Sequence, residues 1–338
     1  MNSESSPRAI KLPSQRLCNL AATLLKLHPL HDCPLPSTST STSAPPIRIV
    51  CISDTHNTQP ALPAGDILIH AGDLTQDGSF DELQSQVAWL SSQPHRYKLL
   101  VAGNHDVLLD EDFLEAHPER RYGQTWTPND LDWGSVRYLQ DSSTTLHLPA
   151  APLPSEQGPD GRSTNRGGGG AAQQAKSLVV YGSPRTPQFS ISAFQYPPER
   201  DLWAGAIPTD ADVVITHGPP QLHLDAVGVR RAGCPFLTAE VARVRPRLVV
   251  FGHIHVGYGR EDVVLDAVRR AYEDIRNDQA GWGTLLCMAF SLVLARLRLC
   301  FGGRERMMRA ERVTTFVNAA VVDGAKNELR NEPVVIDL

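Results

Sequence analysis

The chain has 338 residues, which is enough for one large domain or two ordinary ones and for a sizeable buried core. Its hydrophobic fraction is 41% and its charged fraction is 20%, so we expect most of the chain to be globular rather than disordered. The formal net charge is −5, and no basic excess favours a nucleic-acid polymer as a partner.

The six cysteines are far apart and form no CxxC pair. The length excludes a small disulfide-stapled domain, and the spacing excludes a zinc ribbon. The first residues, MNSESSPRAIKLPSQR, lack the apolar stretch of a secretory signal. We therefore expect reduced, mostly buried thiols in a cytoplasmic protein.

Two segments of the chain have low-complexity sequence. Residues 34–46 (PLPSTSTSTSAPP) cannot bury a face, and we expect a flexible N-terminal lead over 1–46. Residues from about 149 to 176 include GPDGRSTNRGGGG and predict a disordered surface loop. A single domain over 47–338 would carry this loop as an interruption.

Short apolar, β-branched runs predict strands throughout this domain, because each is bounded by Gly, Pro, Asp or Asn. Most lack strict alternation, which suits strands that are buried on both faces. One stretch, 80–91, instead places Phe80, Leu83, Val87 and Leu90 on one helical face. The predicted strands are 47–52, 66–70, 98–101, 178–181, 212–216, 248–251, 314–322 and 334–336.

From residue 261 the pattern becomes helical, and we expect a helical insertion over 261–311. It contains LLCMAFSLVLA (285–295), an apolar run of 11 residues that is followed by Arg296 and Arg298. The run is too short, and its extension too charged, to predict a membrane span. A helix buried in the protein is the first interpretation, and a peripheral membrane contact through 285–301 is the alternative.

Polar side chains repeatedly follow the predicted strands, at the edge where open α/β sheets bind ligands. The strands end in DTHN, GD, GNHD, HGPP and GHIH. Any one of these would more often be a turn, a helix cap or a hydrogen-bonded structural histidine. Together they supply seven side chains that can bind a metal: Asp54, His56, Asp73, Asn104, His217, His253 and His255.

Oxygen and nitrogen donors without cysteine favour Mn²⁺, Fe or Zn²⁺ over soft metals. Seven ligands are too many for one tetrahedral ion and suit two ions that share one carboxylate. Two ions about 3.5–4 Å apart can stabilise both the attacking and the leaving oxygen at phosphorus. We therefore expect two divalent ions, with Mn²⁺ as the first choice.

The order D-x-H, G-D, G-N-H-D, H and G-H-x-H resembles the calcineurin-like metallophosphoesterases. The segments CISDTHN, GDILIHAGDLT, YGSPRTP, VVITHGPP and VVFGHIHVGYG look like the metallophosphodiesterase-domain branch, called the 239AB type. The resemblance covers about 47–148, 177–260 and 312–338. It implies a four-layer α-β-β-α sandwich, whereas the strand pattern alone predicts an α/β fold and does not exclude a doubly wound sheet.

The resemblance also implies how the ligands are divided between two ions, with Asp73 as the bridging carboxylate. In an extended segment, residues i and i+2 point to the same side. His253 and His255 would then face one cleft while Ile254 points into the core. One ion would be held by Asp54, His56 and His255, and the other by Asn104, His217 and His253.

By the same resemblance His105 is not a ligand and faces the phosphoryl group. As an imidazolium it would protonate the departing alkoxide while a hydroxide held between the ions attacks phosphorus in line. Asp106 would fix the tautomer of His105 and raise its basicity. Arg185 stands where the branch would have an aromatic residue, and it is the one cationic candidate near the pocket.

The expected reaction is hydrolysis of a small phosphodiester, for example a cyclic nucleotide. The diester preference follows mainly from the branch resemblance, and also from the scarcity of cations that a monoester dianion would need. A protein phosphatase or a phosphomonoesterase is the alternative. An alternative from another functional class is a non-catalytic scaffold with a vestigial metal centre, which docks to a membrane or a partner through 261–311.

Overall fold

The computed structural model describes residues 15–29, 46–121, 123–148, 176–302, 312–324 and 326–338. The predicted disordered loop lies outside these ranges, apart from residue 176, which begins a strand. Parts of the predicted lead, 1–14 and 30–45, and residues 303–311 of the predicted insertion also lie outside them.

The α-helices of the described residues are α1 (Gln15–Lys26), α2 (Phe80–Ser92), α3 (Glu111–Ala116), α4 (Pro235–Val244), α5 (Ala267–Arg276) and α6 (Trp282–Gly302). The strands are β1 (Arg48–Ile52), β2 (Ile67–Ala71), β3 (Tyr97–Val101), β4 (Val136–Tyr138), β5 (Ser142–Leu148), β6 (Lys176–Ser183), β7 (Thr186–Pro187), β8 (Gln195–Tyr196), β9 (Val213–Thr216), β10 (Ala226–Val227), β11 (Arg230–Arg231), β12 (Leu248–Phe251), β13 (Gly259–Val264), β14 (Val313–Asn318), β15 (Val322–Asp323), β16 (Glu328–Leu329) and β17 (Val334–Asp337).

Most of these strands form two mixed sheets. The first has the order β17-β1-β2-β3-β4 and the second the order β13-β14-β12-β9-β6-β5. In the first sheet β1 to β4 run parallel and β17 is antiparallel to β1. In the second, β6, β9, β12 and β14 run parallel and the edge strands β5 and β13 are antiparallel. The parallel strands therefore bring their carboxyl ends to one edge of each sheet.

The two sheets pack face to face over one apolar core. Ile49, Ile67 and Leu99 of the first sheet share this core with Val180, Val213 and Val250 of the second. The outer face of the first sheet is covered by α2 and α3, and that of the second by α4. This is the four-layer α-β-β-α sandwich, and the expected fold is confirmed.

Helix α2 begins where its sequence predicts. Ser79 and Glu82 form a capping box, in which Ser79 Oγ accepts from the N–H of Glu82 and Glu82 Oε2 accepts from the N–H of Ser79 (3.1 Å). Such a cap contributes on the order of 1 kcal/mol. The buried face of Leu83, Val87 and Leu90 then packs on β1 to β3.

The expectation of a flexible lead over 1–46 is wrong for Gln15–Lys26, which is the helix α1. Its buried side chains include Leu17, Ala21 and Leu25, which pack against α5 and α6. Next to its end, His28 Nε2 lies 2.8 Å from Asp266 Oδ2, at the start of α5. The helices α1, α5 and α6 therefore form one three-helix unit on the sandwich.

The predicted start of the helical insertion at residue 261 is also wrong. Residues 259–264 form β13, which pairs antiparallel with β14 and places Glu261 opposite Phe316. The helical part begins at Ala267, where Asp266 caps α5 by accepting from the N–H of Arg269 (2.8 Å). Glu261 and Asp262, whose charges suggested a helix, lie on this edge strand, where Glu261 pairs with His223 and Arg269.

The apolar run 285–295 lies within α6, which is a single helix. One face of α6, with Leu285, Met288 and Leu292, is buried against α1 and α5. Other apolar side chains of α6 are exposed, so the interpretation as a buried helix holds for one face only. By length and composition alone, Trp282–Phe301 could cross a membrane, with a mean hydropathy of 1.8.

A buried ionic cluster fixes α5 to the sandwich. His223 contacts Glu261 through Nδ1 and Glu273 through Nε2, each at 3.2 Å, and its ring stacks on Phe316. Arg269 pairs with both carboxylates. Burial favours the neutral imidazole, but the two carboxylates outweigh it and raise the pKa of His223. The same contacts lower the pKa of Glu273.

Candidate metal centre

The strand ends of both sheets bring the seven predicted ligands together at one edge of the sandwich. Six of them and His105 fall into three groups, within each of which the ligand atoms lie within 4.8 Å of one another. The seventh, Asn104, places Oδ1 3.1 Å from His217 Nε2. The groups are Asp54 with His56 and His255, Asp73 with His217 and His253, and His56 with Asp73 and His105.

The first group is built around Asp54, at the end of β1. Its carboxylate is fully buried, accepts from the N–H of His253 (3.0 Å) and lies 3.2 Å from His255 Nε2. The ring of His56 beside it is buried, and neither of its nitrogens has a hydrogen-bond partner among the described residues. Buried polar atoms are rarely left without a partner, so this ring fits a metal ligand.

The second group is built around His217, which follows β9. Its Nδ1–H donates to the carbonyl of Ala71 (2.9 Å), which leaves the lone pair of Nε2 directed at the group. A backbone carbonyl that fixes the tautomer in this way is typical of a metal-binding histidine. Asn104 and Asp73 both approach Nε2, at 3.1 and 3.4 Å.

Asp73 belongs to two groups and connects them. Its Oδ2 lies 3.4 Å from His217 Nε2 and 3.8 Å from His56 Nε2, while Oδ1 accepts from the N–H of His105 (2.8 Å). Burial disfavours the carboxylate, but the nearby charge and hydrogen bond of His217 outweigh it and lower the pKa of Asp73. Asp73 is therefore an anion placed where two cations could share it.

The charges in the site shift the pKa values of two of its histidines in opposite directions. Burial would keep His217 neutral, but the charge of Asp73 raises the pKa of His217 to about 9. His253 lies in the same group, and burial together with the charge of His217 lowers the pKa of His253 to about 4. A divalent ion bound here would replace the proton on His217, because a ligand histidine must be neutral.

The expectation that His253 and His255 lie on an extended segment is wrong. His253 has φ +66°, and His255 begins a short 3₁₀ turn. Ile254 lines the cleft instead of pointing into the core. The left-handed turn at His253 sends its ring toward His217, with the centroids 4.9 Å apart, while His255 reaches Asp54. The structure thus separates the two rings by a turn.

The backbone around the ligands is unusual in two respects. Asp54, His56, Asp73 and His253 all have positive φ, between +43° and +66°, which non-glycine residues seldom adopt. A Cβ added to Gly252 would lie 2.0 Å from Asp54 Oδ2, so only glycine fits beside this carboxylate. Strained residues of this kind cluster at functional sites.

The expected role of Asp106 in orienting His105 is wrong. The carboxylate of Asp106 is fully buried and accepts from the N–H groups of Leu74, Thr75 and Gly103. Burial and the charge of Asp73 raise the pKa of Asp106 to about 6. It is the carbonyl of Gln76 that orients His105, by accepting from its Nδ1–H (2.7 Å). Asp106 instead holds together the loops after β2 and β3.

A cleft of about 740 Å³ opens above the ligands. Its walls include His105, Phe189, Arg230 and Arg231, of which Arg231 pairs with Asp225 (2.9 Å). The two arginines form β11 of the β10–β11 hairpin, whose only sequence signal was the turn at Gly228.

Arg185 is not among the residues that line this cleft, because its guanidinium pairs with Asp141 (2.8 Å). The expectation that Arg185 is the one cation near the pocket is therefore wrong.

The four-layer sandwich, with histidines and aspartates gathered at its strand ends, has the architecture of a metal-binding α/β protein. Residues 47–257 match the model of the calcineurin-like phosphoesterases, and the chain belongs to this family. The resemblance seen in the motifs is thereby confirmed. The family and the grouped ligands indicate a divalent metal centre, which the partnerless ring of His56 fits.

The relatives differ in how much of their length is shared. "Probable rhamnogalacturonate lyase C" of Emericella nidulans is 40% identical over 294 residues, which is 86% of this chain and 24% of that protein. "Metallophosphoesterase domain-containing protein 1" of Homo sapiens is 35% identical over 68% of this chain and 64% of its own length. A UPF0046 protein of Caenorhabditis elegans is 33% identical over 64% of this chain and 66% of its own. The chain thus spans about a quarter of the first and about two thirds of the others.

Proposed function

We propose that the chain hydrolyses a small phosphodiester with the help of two divalent ions. The observation that carries this proposal is the position of Asp73, whose carboxylate connects the His56 side of the site to the His217 side. His105 groups with His56 and Asp73 and lines the cleft. This arrangement would join two cation sites and one acid at a single point.

The residues that would hold the ions follow from the groups. Asp54, His56 and His255 would hold one and Asn104, His217 and His253 the other, with Asp73 shared. Two divalent ions, with Mn²⁺ as the first choice, would act as Lewis acids on the phosphoryl oxygens and make a water acidic enough to deprotonate near neutral pH.

His105 would act as the general acid. Its backbone N–H is held by Asp73, and its ring lies edge-on to His56 with the centroids 4.8 Å apart. Nδ1–H of His105 donates a hydrogen bond to the carbonyl of Gln76. Nε2 is therefore the ring nitrogen that can contact a leaving oxygen. As an imidazolium, His105 would give this proton to the departing alkoxide.

The cleft favours a small substrate over a phosphorylated protein. Its volume of about 740 Å³ is in the range of small-molecule sites. Phe189 is well exposed, 4.9 Å from the ring of His253, and Val227 also lines the cleft. These apolar side chains could hold an organic group such as a nucleobase next to the phosphorus, and this supports a diester.

Arg230 favours a second candidate, a phosphomonoesterase. It is exposed on the cleft wall, and a guanidinium there could pair with the second charge of a monoester dianion. The sequence had suggested Arg185 for this role, and Arg185 pairs with Asp141 instead.

A substrate panel tests the proposal. The full chain, stripped with a chelator, is given Mn²⁺, Zn²⁺, Fe²⁺ or Mg²⁺ and assayed on bis-p-nitrophenyl phosphate, cyclic nucleotides and p-nitrophenyl phosphate. We expect metal-dependent turnover, with the diesters preferred. A preference for the monoester would replace the proposal by the second candidate. Bound metal with no turnover of any substrate would identify the scaffold instead.

A further inference from the structure

Helix α6 carries an apolar stripe that nothing in the described residues covers. Its large side chains are exposed, from 39% for Leu294 to 89% for Phe301. At about 100° per residue they fall within about 120° of the helix circumference and extend along its whole length. This outer stripe consists of Trp282, Leu286, Phe290, Val293, Leu294, Leu297 and Phe301.

The stripe continues onto the neighbouring helix. Leu20 of α1 and Leu27, which follows α1, are about half exposed, and Arg296 Nη2 donates to the carbonyl of Leu27 (2.9 Å). Contiguous apolar surfaces of this length mark binding surfaces more often than chance exposure.

The charges on α6 indicate what covers the stripe. The helix has no acidic residue, and its only charged side chains are Arg296 and Arg298. By the helical spacing they lie at opposite edges of the outer stripe. An apolar stripe with one arginine at each edge fits a helix that lies in the surface of a membrane.

We propose that the outer stripe of α6 rests on a membrane surface that contains anionic lipids. The apolar side chains would enter the boundary between headgroups and acyl chains, and Arg296 and Arg298 would contact the phosphates.

A second copy of the chain fits the stripe less well. In an antiparallel pair of α6 helices, Arg296 and Arg298 would lie beside the first half of the partner helix, which carries no acidic residue. They would then have no opposite charge, whereas an anionic lipid layer supplies one.

The packing of α6 also favours lying on the membrane over crossing it. Its inner face is buried against α1 and α5, and α5 is tied to the sandwich through Glu273 and His223. A spanning helix would have to leave this apolar contact.

Vesicle flotation of the full chain tests the proposal. We expect it to float with vesicles of phosphatidylcholine and phosphatidylserine, to float much less with phosphatidylcholine alone, and to be released by high salt or alkaline carbonate. Replacing both Arg296 and Arg298 by Gln should weaken binding about 25-fold, or about fivefold for each charge. The double variant Leu286→Ser, Phe290→Ser should weaken it about tenfold or more.

The control is Leu329→Ser, because Leu329 is a half-exposed leucine on β16, away from the stripe. It should bind like the parent chain, and every variant should keep the parent's melting temperature. Three results would overturn the proposal. The first is no flotation with anionic vesicles, and the second is resistance to carbonate, which would mean that the helix spans the membrane. The third is a dimer in light scattering that dissociates in the Leu286→Ser, Phe290→Ser variant, without any vesicle binding.

Discussion

The backbone N–H of His105 donates a hydrogen bond to Oδ1 of Asp73 (2.8 Å). The carboxylate at the centre of the proposed metal site therefore also fixes the backbone of the proposed acid. The two residues nevertheless have separable roles, because Asp73 would bind the ions and His105 would not.

Asp73→Asn should lose both ions, and His105→Ala should keep them. The amide of Asn supplies no negative charge between the two groups, so metal content by elemental analysis should fall strongly. His105→Ala should keep full metal content and lose about 10²–10⁴ in turnover, the usual contribution of a general acid. An Asp73→Asn protein that is free of metal and fully active would contradict the proposed mechanism.

Asp106→Asn should reduce stability and leave the pH dependence of turnover unchanged. The Asn amide turns a donor toward the N–H groups of Leu74, Thr75 and Gly103, and a buried donor left unpaired costs about 1–3 kcal/mol of unfolding free energy. Denaturant unfolding measures the loss, with the exposed Asp77→Asn as control. A shifted alkaline limb of the pH–rate profile, where the general acid loses its proton, would instead restore the expected contact with His105.

Gly252→Ala should weaken metal binding. The new Cβ would lie 2.0 Å from Asp54 Oδ2 and 2.1 Å from Ser53 Oγ, so the carboxylate must move. We expect metal affinity to fall about 10–100-fold, as when a ligand's supporting contact is lost. Gly281→Ala is the matched control, because nothing lies within 4 Å of its added Cβ. Calorimetric titration with Mn²⁺ compares the two, and equal affinities would contradict the prediction.

Arg230→Gln should shift substrate preference further toward diesters. A guanidinium contact to a second phosphoryl charge would be lost, which should raise KM for p-nitrophenyl phosphate about tenfold or more and leave kcat unchanged. KM for bis-p-nitrophenyl phosphate should change little. Arg96→Gln serves as control, because Arg96 is an exposed arginine just before β3, at the end of the strand away from Asn104 and His105. Equal effects on KM for both substrates would show that Arg230 does not discriminate between them.

The His223 cluster should make stability depend on pH. Because the pKa of His223 is raised in the folded chain, its contribution is fully present below the usual histidine pKa of about 6.5 and is lost as pH rises through the raised value. The carboxylates have lowered pKa values, so their contribution is lost only in acid.

His223→Gln should therefore destabilise the chain at about pH 6 by about 3–5 kcal/mol, the cost of breaking a buried pair, and by less at about pH 9. Denaturant unfolding of both proteins at each pH measures this difference. The parent and the variant both keep His217, so its titration cancels. A difference that stays constant with pH would contradict the prediction.

The sequence predicts that the seven candidate side chains meet because one topological rule places them. Parallel strands bring their carboxyl ends to one edge, so polar residues after β1, β2, β3, β9 and β12 must meet. The strand 248–251 has the bounds that its apolar run predicts. What fails is the local geometry: no pattern distinguishes the left-handed turn at His253 from an extended segment.

The remaining errors come from distant contacts. Helix α1 is stabilised by α5 and α6, which lie far along the chain, so its own neighbours in sequence suggest only a flexible lead. The hairpin of Arg230 has two-residue strands, too short for a periodicity to show. The tautomer of His105 depends on the carbonyl of Gln76, a backbone atom that side-chain motifs do not reveal.

The three-helix unit also sets an order of events during synthesis. Helix α1 leaves the ribosome first, but its partners α5 and α6 begin about 240 residues later. At roughly 5–20 residues per second, the apolar face of α1 waits on the order of ten to fifty seconds for them. Through that interval Leu17, Ala21 and Leu25 are open to chaperones or to neighbouring chains. The unit therefore closes only after α6, which ends at Gly302, has been made.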